Sequence, residues 1–234
     1  MKKYLVISGG SRGIGLATIR LFREQGYHII NLSRKQPPVE AITHLPVDMT
    51  GASWIDAVAP ALKDKLAGAD QITLVHNAAL LLKDSVRDIT AEAMHTAFQL
   101  NVVAASQLNG LLLPMMRAGS SILYVNSTLG EKAVGNTCSY VTTKHAQLGL
   151  MKCTCQDLFG SGIHTAAVCP GFTDTEMLRD HVGNDQGILH HFATQNAFGR
   201  LLKPEEIAEA LWFCSQNPAI NGSVIHANLG QQEH

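Results

Sequence analysis

Short runs of apolar and β-branched residues alternate with longer segments of helical periodicity along the chain. The runs lie at 4–8, 28–32, 72–76, 121–126, 164–169 and 223–227, and their length and composition are typical of strands buried on both faces. Helical patterns lie between them at 15–25, 53–66, 91–113, 139–159 and 204–215. This order predicts right-handed βαβ units, which form an α/β fold with a doubly wound parallel sheet, helices on both faces and a ligand crevice beyond the carboxyl ends of the strands.

Composition narrows the class of protein. The 234 residues are 46% apolar and 16% charged, which suits one domain with a large core better than two small ones. The 18 basic residues nearly balance the 19 acidic ones, so no net field favours nucleic acid or an anionic membrane as partner. No run approaches the ~18 apolar residues of a membrane span, and the first apolar stretch ends at Gly9, too early for a signal peptide. We therefore expect a cytoplasmic protein.

The cysteines and histidines do not form a metal-binding pattern. The five cysteines lack CxxC spacing, and the eleven histidines include no HExxH, so we expect no metal site and reduced, mostly buried thiols. Cys153 and Cys155 lie on a predicted helix, where residues two apart point to different faces.

A glycine-rich turn follows the first predicted strand. The run SGGSRGIG at 8–15 leads directly into a helix, which is the context in which backbone amides and a helix N-terminus bind a pyrophosphate. A tight turn without a ligand would also explain the glycines.

Four ordered motifs resemble the short-chain dehydrogenase/reductase family. The glycine-rich turn is similar to its TGxxxGxG motif, with Ser8 in place of the usual Thr, and HNAA at 76–79 is similar to its NNAG. Ser127 followed by Tyr140 and Lys144 resembles the family's Ser and YxxxK arrangement, and PGFTDT at 170–175 resembles its PGxxxT segment. The resemblance extends over nearly the whole chain, and it is strongest to the classical branch that includes 3-oxoacyl carrier protein reductases.

The resemblance implies a fold and a site. The fold is a single Rossmann-like domain over residues 1–234, with a mobile substrate lid at about 175–200. The implied catalytic residues are Asn101, Ser127, Tyr140 and Lys144. The implied cofactor-binding residues are Gly9, Ser11, Arg12, Gly13, Ile14, Gly15, Ser33, Arg34, Asp48, Asn77, Ala78, Tyr140, Lys144, Pro170, Gly171, Thr173 and Thr175.

The spacing of Tyr140 and Lys144 suits proton transfer. Residues four apart on a helix share one face, so the ammonium of Lys144 should lie near the phenol and lower its pKa from about 10 toward neutrality. Ser127 ends a predicted strand, where its hydroxyl can hydrogen-bond a substrate oxygen, and Thr128 is the fallback. By resemblance, Asn101 holds a water that links Lys144 to solvent.

Several residues have a second reading. Thr175 can cap the next helix as well as contact the nicotinamide carboxamide, and Asp48 can be an ordinary turn carboxylate rather than a neighbour of the adenine. His76 replaces the first Asn of NNAG, and we interpret it as structural. The histidines after Thr175 are interpreted as solvated loop residues rather than substrate contacts; they are His181, His190 and His191.

The residues after the second strand favour NADP(H) over NAD(H). An enzyme of this fold that uses NAD places Asp or Glu there for the ribose hydroxyls, whereas this chain has NLSRK at 31–35. Arg34 and Arg12 would clamp the 2′-phosphate; a solvated basic turn is the alternative. Between Arg34 and Val47, Pro37-Pro38 and the short spacing predict a loop or one turn instead of a helix.

These features together predict an NADP(H)-dependent oxidoreductase that acts on a small carbonyl or alcohol, with Tyr140 as acid/base. A non-catalytic NADP(H)-binding sensor or scaffold is the alternative. The resemblance also implies a homodimer or homotetramer that pairs the helices beginning near Ala91 and Ser139.

Overall fold

The computed structural model describes residues 1–232. In this range the strands are β1 (Lys3–Ser8), β2 (His28–Ser33), β3 (Thr43–Pro46), β4 (Gln71–His76), β5 (Ser121–Val125), β6 (His164–Pro170) and β7 (Ser223–Ala227). They form a seven-stranded parallel sheet in the order β3-β2-β1-β4-β5-β6-β7. The α/β fold with a doubly wound parallel sheet is therefore confirmed, and the strand order reverses at β1, where Ser8 is in register with both Leu32 and His76.

The α-helices of the described chain are α1 (Gly13–Glu24), α2 (Trp54–Lys65), α3 (Ala91–Phe98), α4 (Ala104–Leu112), α5 (Cys138–Asp157), α6 (Glu176–His181), α7 (Gln186–Ala193) and α8 (Pro204–Gln216). The predicted helix over 91–113 is interrupted, since a π-helical segment, Gln99–Val103, joins α3 to α4. None of these helices is both long and apolar enough to cross a lipid bilayer.

The connection after β2 has no helix, as predicted, but part of the interval expected to be a loop or one turn is a strand. Residues 34–42 contain no helix, and β3 then pairs directly with β2. β3 was not predicted from the sequence, because none of its four residues is fully buried and the strand ends in the exposed Pro46, so it lacks the apolar run of a central strand.

Apolar residues cover both faces of the sheet. On one face α1 packs against α8, and the rings of Phe22, Tyr27 and Trp212 meet edge to face with centroids 5.1–5.7 Å apart, the arrangement that aromatic quadrupoles favour. On the other face, residues of α2, α4 and α5 form a second buried cluster around Tyr124. The expectation of mostly buried thiols is wrong: all five cysteines are free, but Cys169 and Cys214 alone are buried.

Candidate active site

The glycine-rich turn packs against the end of β4. Gly9 has φ of +73°, and a Cβ added there would lie 2.8 Å from the Cα of Ala78, so only glycine fits this approach. The hydroxyl of Ser8 accepts hydrogen bonds from the backbone N–H groups of Asn77 and Ala78, both at 3.1 Å. The Asn77 side chain donates to the carbonyl of Gly9 at 2.8 Å. These contacts fix the turn at the carboxyl edge of the sheet.

A cavity of about 830 Å³ lies along this edge. Nearly all of the predicted site residues border it: Gly9, Ser11, Arg12, Gly13, Ile14, Ser33, Arg34, Asp48, Asn77, Ala78, Ser127, Tyr140, Lys144, Pro170, Gly171, Thr173 and Thr175. Gly15 and Asn101 lie behind its wall. A Cβ added at Gly15 would meet the Gly9 carbonyl oxygen at 2.4 Å, so this glycine allows the helix to pack closely on the turn.

Tyr140 and Ser127 lie next to each other on the wall of the cavity. Their side chains are hydrogen-bonded, and burial of the phenol raises the pKa of Tyr140 to about 12. The expectation that Lys144 lowers this pKa is wrong for the described geometry. The Lys144 Nζ lies 5.5 Å from the centre of the Tyr140 ring, but the ammonium is turned toward other acceptors, so desolvation decides the pKa.

Lys144 is buried, with 1% of its surface exposed. Its Nζ donates to the backbone carbonyl of Val125 at 2.7 Å and to the Oε1 of Gln147 at 3.2 Å. Burial lowers the pKa of Lys144 to about 8. Lys144 therefore lies one helical turn from Tyr140 on α5, as predicted. Its burial disfavours the charged form of its side chain.

Asn101 lies in the π-helical segment, where a local change of helical pitch commonly marks a functional position. Its Oδ1 accepts from the Leu80 N–H at 2.7 Å, and its Nδ2 donates to Thr143 at 2.9 Å. Its backbone carbonyl accepts a hydrogen bond from the Nε2 of Gln147 at 2.9 Å. The described contacts thus join Asn101 to Lys144 through Gln147, a residue that the sequence analysis missed.

The residues expected to recognise the coenzyme phosphate lie at one end of the cavity. The Ser33 hydroxyl donates to the Lys35 carbonyl at 2.7 Å, which orders the turn that carries Arg34. Hydrogen bonds from Thr50 hold the pKa of Asp48 below its usual value, and the nearby Arg34 lowers it further. Asp48 is therefore both a turn carboxylate and a residue of the cavity wall.

The other end of the cavity is formed by the segment predicted to be a lid. Thr175 accepts from the Leu178 N–H at 3.3 Å and caps α6, as one of its two readings predicted. The rings of Phe172 and Phe192 are stacked with centroids 4.1 Å apart. The histidines are not in a loop: His181 lies on α6, and His190 and His191 lie on α7. His181 and His191 border the cavity.

His76 is a structural residue, as interpreted from the sequence. It is buried at the end of β4, and its Nε2 lies 2.7 Å from the Oδ1 of Asn109. The Asn109 Nδ2 donates to the Tyr124 hydroxyl at 2.7 Å. Burial lowers the pKa of His76 to about 4, so its ring is neutral at physiological pH.

Known proteins resemble this chain over nearly its full length. A family model described as enoyl-(acyl carrier protein) reductase matches residues 9–232. The 3-oxoacyl-(acyl-carrier-protein) reductase of Vibrio cholerae is 27% identical over 97% of this chain and 96% of its own. A solved short chain dehydrogenase family protein from Francisella tularensis subsp. tularensis SCHU S4 superposes with a TM-score of 0.88 at 28% identity, covering 97% of each chain.

A further solved structure contains a coenzyme and a substrate. The L-sorbose reductase of Gluconobacter frateurii, complexed with NADPH and L-sorbose, superposes with a TM-score of 0.87 at 25% identity, covering 100% of this chain and 97% of its own. One family accounts for the matched fold, for the ordered motifs and for the cavity that the motif residues line. The chain belongs to the short-chain dehydrogenase/reductase family, a family of nicotinamide-dependent oxidoreductases, and it is similar to the 3-oxoacyl carrier protein reductases of the classical branch.

Proposed function

We propose that the protein is an NADP(H)-dependent oxidoreductase that transfers a hydride between the nicotinamide and the carbon of a carbonyl or secondary alcohol, with Tyr140 as acid/base. The observation that carries this proposal is the hydrogen-bonded pair of Ser127 and Tyr140 on the wall of the cavity. Two hydroxyls held together in this way provide a binding place for one substrate oxygen.

The residues of the cavity fit a dinucleotide. The N-terminus of the twelve-residue α1 opens from the glycine-rich turn, and its first N–H groups and dipole favour a pyrophosphate. Gly9 has no room for a side chain because Ala78 packs against it. The backbone of the turn itself therefore borders the cavity at this position. The volume of about 830 Å³ lies in the range of ligand and cofactor sites.

In the proposed reaction, NADPH supplies the hydride when bound. Tyr140 donates its hydroxyl proton to the substrate oxygen, and a pKa of about 12 keeps that proton on the phenol at neutral pH. Ser127 donates a hydrogen bond to the same oxygen as negative charge develops on it. Lys144 would hold the nicotinamide ribose by donating a hydrogen bond from its ammonium. In the oxidative direction Tyr140 accepts the proton.

The proposed coenzyme preference rests on charge at one end of the cavity. Arg12, Arg34 and Lys35 border that end, and β2 ends without a carboxylate that would repel a 2′-phosphate. Guanidinium groups bind phosphate through charge-assisted hydrogen bonds. Asp48, the acidic residue near Arg34, lies one strand away, where the resemblance places it beside the adenine.

The test follows nicotinamide absorbance with purified protein, NADPH and a panel of ketones, aldehydes and 3-oxoacyl thioester mimics. Aromatic ketones belong in the panel because the stacked Phe172 and Phe192 offer a flat apolar surface. We expect turnover with at least one class, and Tyr140→Phe should lower it by at least ~100-fold, the loss expected of a general acid, while NADPH affinity stays nearly unchanged. Turnover of Tyr140→Phe within a few-fold of the original would contradict the mechanism.

The same assay separates the alternative function. A sensor or scaffold would bind NADPH and turn over none of the panel. Three other expectations belong to this proposal and stay predictions: a single domain over 1–234 with a lid at about 175–200, a homodimer or homotetramer, and a cytoplasmic location.

A further inference from the structure

A buried amide, Gln147, lies between the residues of the proposed catalytic set. It belongs to α5, three positions after Lys144, and 1% of its surface is exposed. Its Oε1 accepts from the Lys144 ammonium at 3.2 Å and from the Asn126 Nδ2 at 3.0 Å. Its Nε2 donates to the Asn101 carbonyl at 2.9 Å. Buried polar side chains are almost always hydrogen-bonded, and the three partners of Gln147 in the described part of the chain all lie in or beside the site.

The orientation of this amide is determined by its partners. Rotating it by half a turn would place its NH₂ group against the Lys144 ammonium and the Asn126 NH₂, which are both donors. Asn126 is fixed in turn, because its Oδ1 accepts from the Ser127 N–H at 2.8 Å while its Nδ2 donates to the Lys144 carbonyl at 2.9 Å. The network therefore has one consistent arrangement of donors and acceptors.

This arrangement directs the ammonium of Lys144. An ammonium has three N–H donors, and the Val125 carbonyl and Gln147 Oε1 accept two of them. The third N–H can point toward the cavity, which Lys144 borders. Without Gln147, the Val125 carbonyl would be the single acceptor among the described residues that orients the ammonium, and the flexible four-carbon stem would rotate about that contact.

We propose that Gln147 is a positioning residue, which holds the Lys144 ammonium charged and aimed at the cavity by accepting one of its hydrogen bonds while anchored to the Asn101 carbonyl. The proposal rests on the function proposed for Lys144, and it adds a residue outside the Tyr140 to Lys144 motif. Among the described residues, three titratable groups face this region. The ring centre of Tyr140 lies 5.5 Å from the ammonium, and burial raises the pKa of the Cys169 thiol to about 11, so it is neutral where Lys144 titrates. The neutral His76 borders a small buried cavity together with Gln147.

Two substitutions test the role in opposite directions. Gln147→Met keeps the length of the side chain and removes the acceptor, whereas Gln147→Glu keeps the acceptor and adds a negative charge. The measurement is the pH titration of the Lys144 side-chain Cε signal by NMR in protein carrying ¹³C-labelled lysine, with the signal assigned by its loss in Lys144→Arg. We expect the midpoint to fall by about one pH unit in Gln147→Met and to rise in Gln147→Glu, because a hydrogen bond to a charged group and an opposite charge both favour the ammonium.

Turnover with NADPH is the second readout. Gln147→Met should lower kcat at pH 7 by about tenfold and move the alkaline limb of the pH profile to lower pH, while Gln147→Glu should move that limb to higher pH. Thr154→Val is the matched control, since it removes a buried hydroxyl of α5 that contacts Tyr124 and not Lys144; it should leave both readouts unchanged.

Unchanged Lys144 midpoints in both Gln147 variants would overturn the proposal, even if their activity or stability falls. If Gln147→Met does not fold, the direction of the shift in Gln147→Glu decides. Because the titration needs no substrate, it distinguishes failure of this inference from failure of the proposed reaction, which would show as an absence of turnover in the unmodified protein.

Discussion

Arg12 of the glycine-rich turn forms an ion pair with Asp180 of α6, with Nη1 and Oδ2 3.1 Å apart. The pair connects the turn at the start of the chain to the first helix of the predicted lid, across 168 positions of sequence. The two side chains are 52% and 63% exposed, so the pair contributes little to stability. Its importance lies in competition, because Arg12 is also the residue proposed to bind the 2′-phosphate.

Asp180→Asn should strengthen NADPH binding by about two- to fivefold, because Arg12 loses a competing partner and the phosphate loses a repelling charge. NADH binding should change little. Fluorescence titration of both coenzymes measures this, with Asp64→Asn as control for the loss of an exposed carboxylate on α2, away from the cavity. Weaker NADPH binding in Asp180→Asn would show that the ion pair supports the phosphate site instead of competing with it.

Arg34→Ala should weaken NADPH binding by roughly ten- to a hundredfold, the effect of losing a charge-assisted contact of about 1.5 to 3 kcal/mol. NADH lacks the phosphate, so its affinity should hardly change. Lys63→Ala removes an exposed cation from α2 and serves as the control. Equal losses for both coenzymes in Arg34→Ala, or a preference of the unmodified protein for NADH, would refute the assignment of NADP(H).

His76 should make stability depend on pH between about 6.5 and 4. The folded protein holds this ring neutral down to a pKa of about 4, whereas the unfolded chain takes up the proton near 6.5. The unfolded state binds more protons in this window, so the free energy of unfolding is full above pH 6.5 and falls, by about 3 kcal/mol in all, as pH approaches 4.

Urea unfolding at several pH values checks this contribution. His76→Asn should flatten the slope of stability against pH in that window, whatever it does to stability at pH 7. His95→Asn replaces an exposed histidine of α3 and should keep the original slope. A slope that is unchanged in His76→Asn would mean that other groups cause the acid sensitivity.

Light scattering at micromolar concentration should give a homodimer or homotetramer. The resemblance pairs the helices around α3, α4 and α5, and Val103, which joins the first two, is an apolar residue with 40% of its surface exposed. A charge at that position should favour dissociation, so Val103→Glu should lower the mean mass. Val86→Glu is the control, because Val86 is 85% exposed outside these helices. A monomeric unmodified protein would contradict the prediction.

The central strands were predictable from the sequence because each is a run of apolar residues bounded by turn residues. β3 was not predictable, since its four residues carry no strand pattern and it forms a strand by pairing with β2. The helix α7 also escaped, and α6 was anticipated only through its cap Thr175, because each helix is at most eight residues long and Gly183 lies between them. Short helices of this kind depend on caps, here Thr175 and Asp185, that a loop would explain equally well.

The site was predictable where a motif fixes residue spacing and not where tertiary contacts decide. Tyr140 and Lys144 were placed correctly on one helix face, but the direction of the Tyr140 pKa depended on burial and on where the ammonium points. Gln147 carries no sequence signal, because a glutamine three positions after a lysine is an ordinary exposed pair on most helices. Gln147 differs from such a pair because it is buried in the core beneath α5.

The π-helical turn at Gln99–Val103 contains one residue more than an α-helical turn needs, so the helix can lose a residue here and remain a helix. Shortening it by one residue would restore regular α-helical hydrogen bonding and would not itself harm the helix. The extra residue of a π-helical turn is accommodated within that turn, so α3 and α4 would keep their relative orientation after the deletion. The backbone carbonyls of the turn itself would move, however, and the Asn101 carbonyl would lose its hydrogen bond from Gln147. Random single-codon deletions here should therefore yield folded protein that has lost its chemistry, a separation that point substitutions in the same helix rarely achieve.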